Sequence, residues 1–113
     1  MEKKSKHEAI LVRFLEKYAQ YKPVNLPNTQ NKIIVDTVHQ QYLLVRVGWL
    51  VTRFVHDLIF HFEIAEDGKV WIFANWTDMD ITEDWIEQGM LKSDIVLGFH
   101  SENIRPHTGF ACA

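Results

Sequence analysis

Residues 42 to 75 read YLLVRVGWLVTRFVHDLIFHFEIAEDGKVWIFAN, and the alternation within them decides the fold. Tyr42 to Trp49 places Leu43, Val45, Val47 and Trp49 on one face and Tyr42, Leu44, Arg46 and Gly48 on the other. Phe54 to Ile64 sets Leu58, Phe60, Phe62 and Ile64 against Ile59, His61 and Glu63. Val70 to Asn75 sets Val70 and Ile72 against Trp71 and Phe73. A period of two is that of a strand, because successive side chains point to opposite faces. Asp67-Gly68 marks a tight turn, and the other connection is as short. Short links join only antiparallel neighbours. With Ile33 to Thr37 as a brief edge strand, the expected sheet is a four-stranded antiparallel meander.

Helical signals flank this core on both sides. Upstream, Ile10, Leu11, Phe14, Leu15 and Tyr18 recur at three- and four-residue spacing, which predicts an amphipathic helix over residues 6 to 20. Ser5 followed by Glu8 has the form of a capping box. Pro23 and Pro27 forbid continuation, so Lys22 to Lys32 is expected to be a loop. Downstream, Asp80 can cap a second helix whose apolar stripe is Ile81, Trp85 and Ile86 and which Gly89 ends. Lys92 to Val96 reads as one further turn or a short strand. The tail holds two Gly-aromatic pairs, Gly98-Phe99 and Gly109-Phe110, with His100, Arg105, Pro106 and His107 between them. A fraying tail is polar and shapeless. This one is expected to be ordered, with Phe99 and Phe110 buried. The fold class is therefore α+β, one domain over residues 1 to 113. An N-terminal helix packs on the meander, followed by a second helix and an ordered C-terminal tail.

One face of the expected sheet mixes Tyr42, Leu44, Ile59, Trp71 and Phe73 with Arg46, Asp57, His61 and Glu63. That is too apolar for water and too charged for a dry core. Either the second helix and the tail cover it, or part of it is an interface with another chain.

Composition narrows the class of function. At 113 residues and 47% apolar, the chain has material for one core. Twelve basic against fifteen acidic residues leave a net charge of −3, which argues against a grip on duplex DNA driven by phosphate contacts. The apolar runs are strand-length, far short of the ~20 residues of a membrane helix. Met1 to Lys6 is charged and precedes an amphipathic segment, unlike a signal peptide. Cys112 is the lone cysteine, which excludes an intrachain disulfide and fits a reducing cytoplasm.

No motif for bond-making chemistry stands out. Asp78, Asp80, Thr82 and Asp84 alternate like the start of a calcium loop, but Glu83 and Gly89 occupy the positions that need Gly and Glu. Asp67-Gly68-Lys69 resembles an acid-x-Lys nuclease element, yet it reads better as a turn tip. His7, His39, His56, His61, His100 and His107 show no i, i+4 pair, and Cys112 lacks a nucleophile's context. No catalytic residue, metal ligand or cofactor is expected.

Several segments together resemble the XisI family, the fdxN element excision controlling factors. They are YAQYKP at Tyr18 to Pro23, Gly48-Trp49, His61, and Gly68-Lys69 with Trp71. The most specific are DIVLGFH at Asp94 to His100 and TGFA at Thr108 to Ala111. Leu50-Val51-Thr52 and Asn75-Trp76 depart from the family's usual polar turns, and Leu91 stands where Pro is common. The resemblance implies an accessory role in programmed excision of a DNA element beside a site-specific recombinase. It also implies a nuclease-like protein partner of the XisH kind, and no catalytic residues. On this view the chain works by binding protein, with self-association open and DNA contact indirect or weak. The expected contacts are His61, Trp71, His100, Arg105 and His107, polar groups beside buried aromatics. Direct DNA binding would require Lys3, Lys4, Lys6, Arg46, Arg53 and Arg105 to converge, and a metal-dependent nuclease subunit would use Asp67.

Overall fold

The computed structural model describes residues 2–20 and 28–111, with only the backbone of Glu2. The expected stop at Pro23 and Pro27, and Cys112, lie outside the described residues. Helix α1 spans Glu2–Ala19 and helix α2 spans Ile81–Glu87. The strands are β1 (Thr29–Asp36), β2 (Gln41–Leu50), β3 (Arg53–Ile64), β4 (Val70–Asn75) and β5 (Ile95–Leu97), in that order across one sheet.

The first four strands form the antiparallel meander read from the alternation. The strand count needs correction to five. β5 runs parallel to β4, with Val70 opposite Ile95 and Ile72 opposite Leu97. A parallel neighbour requires a long crossover, and residues 76–94, which contain α2, supply it. Lys92–Asp94 is a 3-10 turn that leads into β5, so the segment is both a turn and a strand. β1 begins at Thr29 rather than Ile33. Its polar first half carries no alternation signal, and pairing of Thr29 with Gly48 draws it into the sheet. A Cβ on Gly48 would stand 2.3 Å from the Asn28 carbonyl oxygen, so only glycine admits this crossing of chains.

The faces of the sheet also need correction. Phe60 pairs with Leu44 and Leu58 with Val45, which leaves Ile59 unpaired in a β-bulge. The extra residue resets the alternation. Ile59 and Phe60 are therefore both buried, at 6% and 0% exposure, whereas Leu58 is 36% exposed. Tyr42 faces Phe62 across the ladder, so Tyr42 and Leu44 belong to the helix-covered core. Leu43, Val45, Val47 and Trp49 lie on the opposite, outer face, contrary to their expected grouping with Phe60 and Phe62.

Both helices pack on one side of the sheet. Phe14 of α1 meets Phe60, Phe62 and Trp85 at ring distances of 5.3, 6.2 and 5.9 Å, and Trp85 of α2 stands perpendicular to Phe62 at 4.9 Å. Such pairs add ~0.5–1.5 kcal/mol each beyond burial. Thus α2 does not cover the outer face. α1 starts three residues before Ser5, so Ser5 and Glu8 form no capping box. Glu8 instead accepts a 2.5 Å hydrogen bond from the Tyr42 hydroxyl. Burial and this carboxylate push the Tyr42 hydroxyl's pKa up, so it stays protonated as the donor. The first turns of α1 are tied elsewhere: Lys3 pairs with Asp94 at 2.8 Å and Lys6 donates to the Gly89 carbonyl. The buried His7 donates through Nδ1 to the Gly68 carbonyl at 2.7 Å. No helix among the described residues is long and apolar enough to cross a membrane.

Two measurements check this arrangement. Ile59→Ala should lower the urea-unfolding free energy by about 2–4 kcal/mol, and Leu58→Ala by less than about 1 kcal/mol. The reverse order would place the bulge elsewhere. The β1–β2 turn predicts a pH effect. His39 Nδ1 lies 2.6 Å from Asp36 Oδ2, and the backbone amides of Val38 and His39 donate to Oδ1. The His39 side-chain bond, first of several causes, holds the Asp36 carboxyl below its ordinary value of 3.8. Its stabilisation is therefore complete above pH 3.8 and lost as pH falls through the lower folded value. Unfolding of Asp36→Asn should lack that part of the acid slope.

Candidate protein-interaction surface

Alternation along the ladder lines up the outer face. β2 contributes Leu43, Val45, Val47 and Trp49, and β3 contributes Phe54, His56, Leu58, His61 and Glu63. β4 adds Trp71 and Phe73, and β1 adds Lys32 and Ile34. At its tail end, aromatic and basic groups form one line. The His61 ring lies 5.3 Å from Phe73, Phe73 stacks 5.9 Å from Trp71, and the Arg105 guanidinium stands 4.9 Å over Trp71. His61 Nε2 donates to Gln41 Oε1 at 2.7 Å, and the Gln41 amide donates to Glu63 at 2.6 Å. The His61–Gln41–Glu63 chain of hydrogen bonds holds the polar end of this row in place.

The tail holds Arg105 over the sheet. Gly98 extends the parallel ladder by donating to the Ile72 carbonyl. A Cβ there would meet the Phe73 ring at 3.0 Å, so the glycine of DIVLGFH is a close-approach residue. Ala111 returns to donate to the Ile95 carbonyl at 2.8 Å and bridges Val96. Val96, which is opposite Trp71, is thereby fully buried. Arg105 Nε donates to the His100 carbonyl, Thr108 Oγ1 donates to the Arg105 carbonyl, and Lys92 stands over the Phe110 ring. Phe110 is half-buried against the core, but Phe99 is 54% exposed, which corrects its expected burial. It turns outward beside the His100 ring, 4.6 Å away.

Of the five expected contact residues, His61, Trp71 and Arg105 come together, with Phe73 as the link that the residue reading left out. His100 joins through its backbone carbonyl. His107 is exposed in the 3-10 turn Arg105–His107. The cations named for DNA do not form one patch. Lys3, Lys4 and Lys6 lie along α1 on Asp94, Glu66 and Gly89, Arg46 donates to Asn31, and Arg105 stacks on Trp71. Asp67 is the turn tip: its carboxylate accepts from the Lys69 amide, and Gly68 takes a φ of +88°. Asp80 caps α2 by accepting from Thr82, and Asp84 faces Lys17 and Gln88. Among the described residues, no three His, Cys, Asp or Glu side chains gather as a metal site.

The family model described as XisI protein matches residues 1–112. The chain belongs to the XisI family. Two solved structures share this XisI fold. One is an fdxN element excision controlling factor XisI from Anabaena variabilis, 29% identical, with a TM-score of 0.81 over 98% of this chain and 99% of that one. The other is a XisI-like protein from Anabaena variabilis, 28% identical, with a TM-score of 0.86 over 96% of this chain and 98% of that one. No curated protein matches the chain.

If Trp71 and Arg105 clamp the tail, Arg105→Ala should speed amide hydrogen exchange at residues 105–111 while the melting midpoint moves little. Unchanged exchange there would remove the clamp.

Proposed function

We propose that this chain is a controlling factor for programmed excision of a DNA element. In this reading it makes and breaks no bonds itself. It acts in the cytoplasm by docking a protein partner, a nuclease-like factor of the XisH kind, beside a site-specific recombinase. The observation that carries the reading is the end-to-end likeness to the Anabaena variabilis excision controlling factor, at 29% identity. The docking surface is the row His61, Phe73, Trp71 and Arg105, with His100 and His107 at its margin. Aromatics and arginine are the side chains that dominate protein interfaces, because they offer large apolar area and directional charge at small entropic cost. Ring stacking and the His61–Gln41–Glu63 hydrogen bonds pre-order the row, which reduces the ordering cost of association.

Capture from the native cells with the tagged chain, followed by mass identification, tests the proposal. A single nuclease-like protein should co-purify. The double variant Trp71→Ala, Arg105→Ala should retain less than roughly a tenth of it, with an unchanged far-ultraviolet spectrum. Equal capture by the variant would remove this surface from the reading. Normal excision in cells lacking the chain would remove the function.

A further inference from the structure

We propose that the far half of the outer sheet face, around the β2–β3 turn, is a self-association surface occupied in solution by a second copy of this chain. Leu50 pairs with Arg53, so Val51 and Thr52 form a two-residue hairpin loop. Val51 has a φ of +58°, and Thr52 is not in the positive-φ region. A positive φ at the first loop position alone is the type II′ pattern, a place for glycine. A branched Cβ strains there. Val51 is also 89% exposed, so contacts within its own chain do not offset the strain. Strain kept at an exposed apolar residue points to a contact outside the monomer.

The neighbours of Val51 supply the rest of that contact. Trp49 and Phe54 face each other across the ladder with rings 5.3 Å apart, and they are 54% and 51% exposed. Phe54 stacks on His56, and Leu58 continues the apolar surface along β3. With Val51 these side chains expose on the order of 400 Å² of apolar surface, taking about half of ~150–250 Å² for each of the two large aromatics. One side of a standard interface needs about 800 Å², a little over half of it apolar. The patch therefore supplies about the apolar share of one side of a standard two-fold contact, and it lies at the upper end of what a monomer exposes.

The charge pattern favours a second copy as occupant. A two-fold axis brings each residue near it against its own counterpart, so a like charge there would repel. The centre of this patch carries no Asp, Glu, Lys or Arg, and Lys32 and Arg53 stand on the edge strand and the turn. The patch is also separate from the partner-docking row. Phe54 and His61 are seven residues apart on β3, roughly 20 Å at strand rise.

Sedimentation equilibrium of the full chain, from low micromolar to near-millimolar concentration, tests this. The wild type should follow a monomer–dimer equilibrium. Trp49→Ser combined with Phe54→Ser should raise the dimer dissociation constant by ~30-fold or more, the effect of a hot-spot truncation. Val51→Gly is the sharper variant, because glycine relieves the turn. Its monomer should melt no lower than the wild type, while its dimer dissociation constant rises. A wild type that stays monomeric throughout, or a dimer indifferent to all three changes, overturns the proposal. Partner capture and self-association are read separately, so either can fail while the other stands.

Discussion

The bulge at Ile59 is the constraint on which the rest of this molecule depends. A strand with strict alternation would bury Leu58 with Phe60, or Ile59 with His61. One unpaired residue lets Ile59, Phe60, Phe62 and Ile64 all serve the core beneath the helices. It also sends Phe54, His56 and Leu58 to the opposite face together with His61 and Glu63. The aromatic core of Phe14, Phe60, Phe62 and Trp85 then holds α1 and α2 on a single side. An α+β domain of this size has two layers, so its outer sheet face remains available for contacts with other molecules.

The tail follows from the same arrangement. β5 adds to β4 by a parallel crossover, and the chain after it needs somewhere to lie. It crosses the end of the open face, where Trp71 and Val96 would otherwise be wet. The Lys3–Asp94 pair and the His7–Gly68 hydrogen bond connect the start of α1 to both ends of that region. Family-specific segments near the C-terminus thus have physical reasons. Asp94 receives Lys3, Gly98 admits the Phe73 ring, and Thr108 stabilises the turn that carries Arg105.

A surface built this way suits recognition. Its groups are aromatic, held by cross-strand stacking, and hydrogen-bonded to one another. The two ends of the face differ in chemistry. The tail end combines aromatics with Arg105 and hydrogen-bonding polar groups, which fits a heterologous partner. The turn end is almost purely apolar and strained at Val51, which fits a symmetric contact. One small domain can therefore present two surfaces without a second structural unit.

Much of the fold was legible in the residues. The period-two runs located β2, β3 and β4 to within a residue, Asp67-Gly68 marked their turn, and Asp80 and Gly89 bracketed α2, because such signals are local. The contact row was partly legible, since Trp71 and Arg105 are conspicuous as types but their stacking is not. Three features were not legible. β1 begins in polar residues that acquire strand geometry only from β2. β5 is three residues long and belongs to the sheet only because β4 lies beside it. The face carrying Leu43 and Trp49 depends on a bulge whose cause is the fit between β2 and β3. Residue patterning alone supplied both helices, β2 to β4, the antiparallel order of the first four strands and the family. Only the tertiary structure decided which side of the sheet faces water, because alternation defines two faces but packing chooses between them.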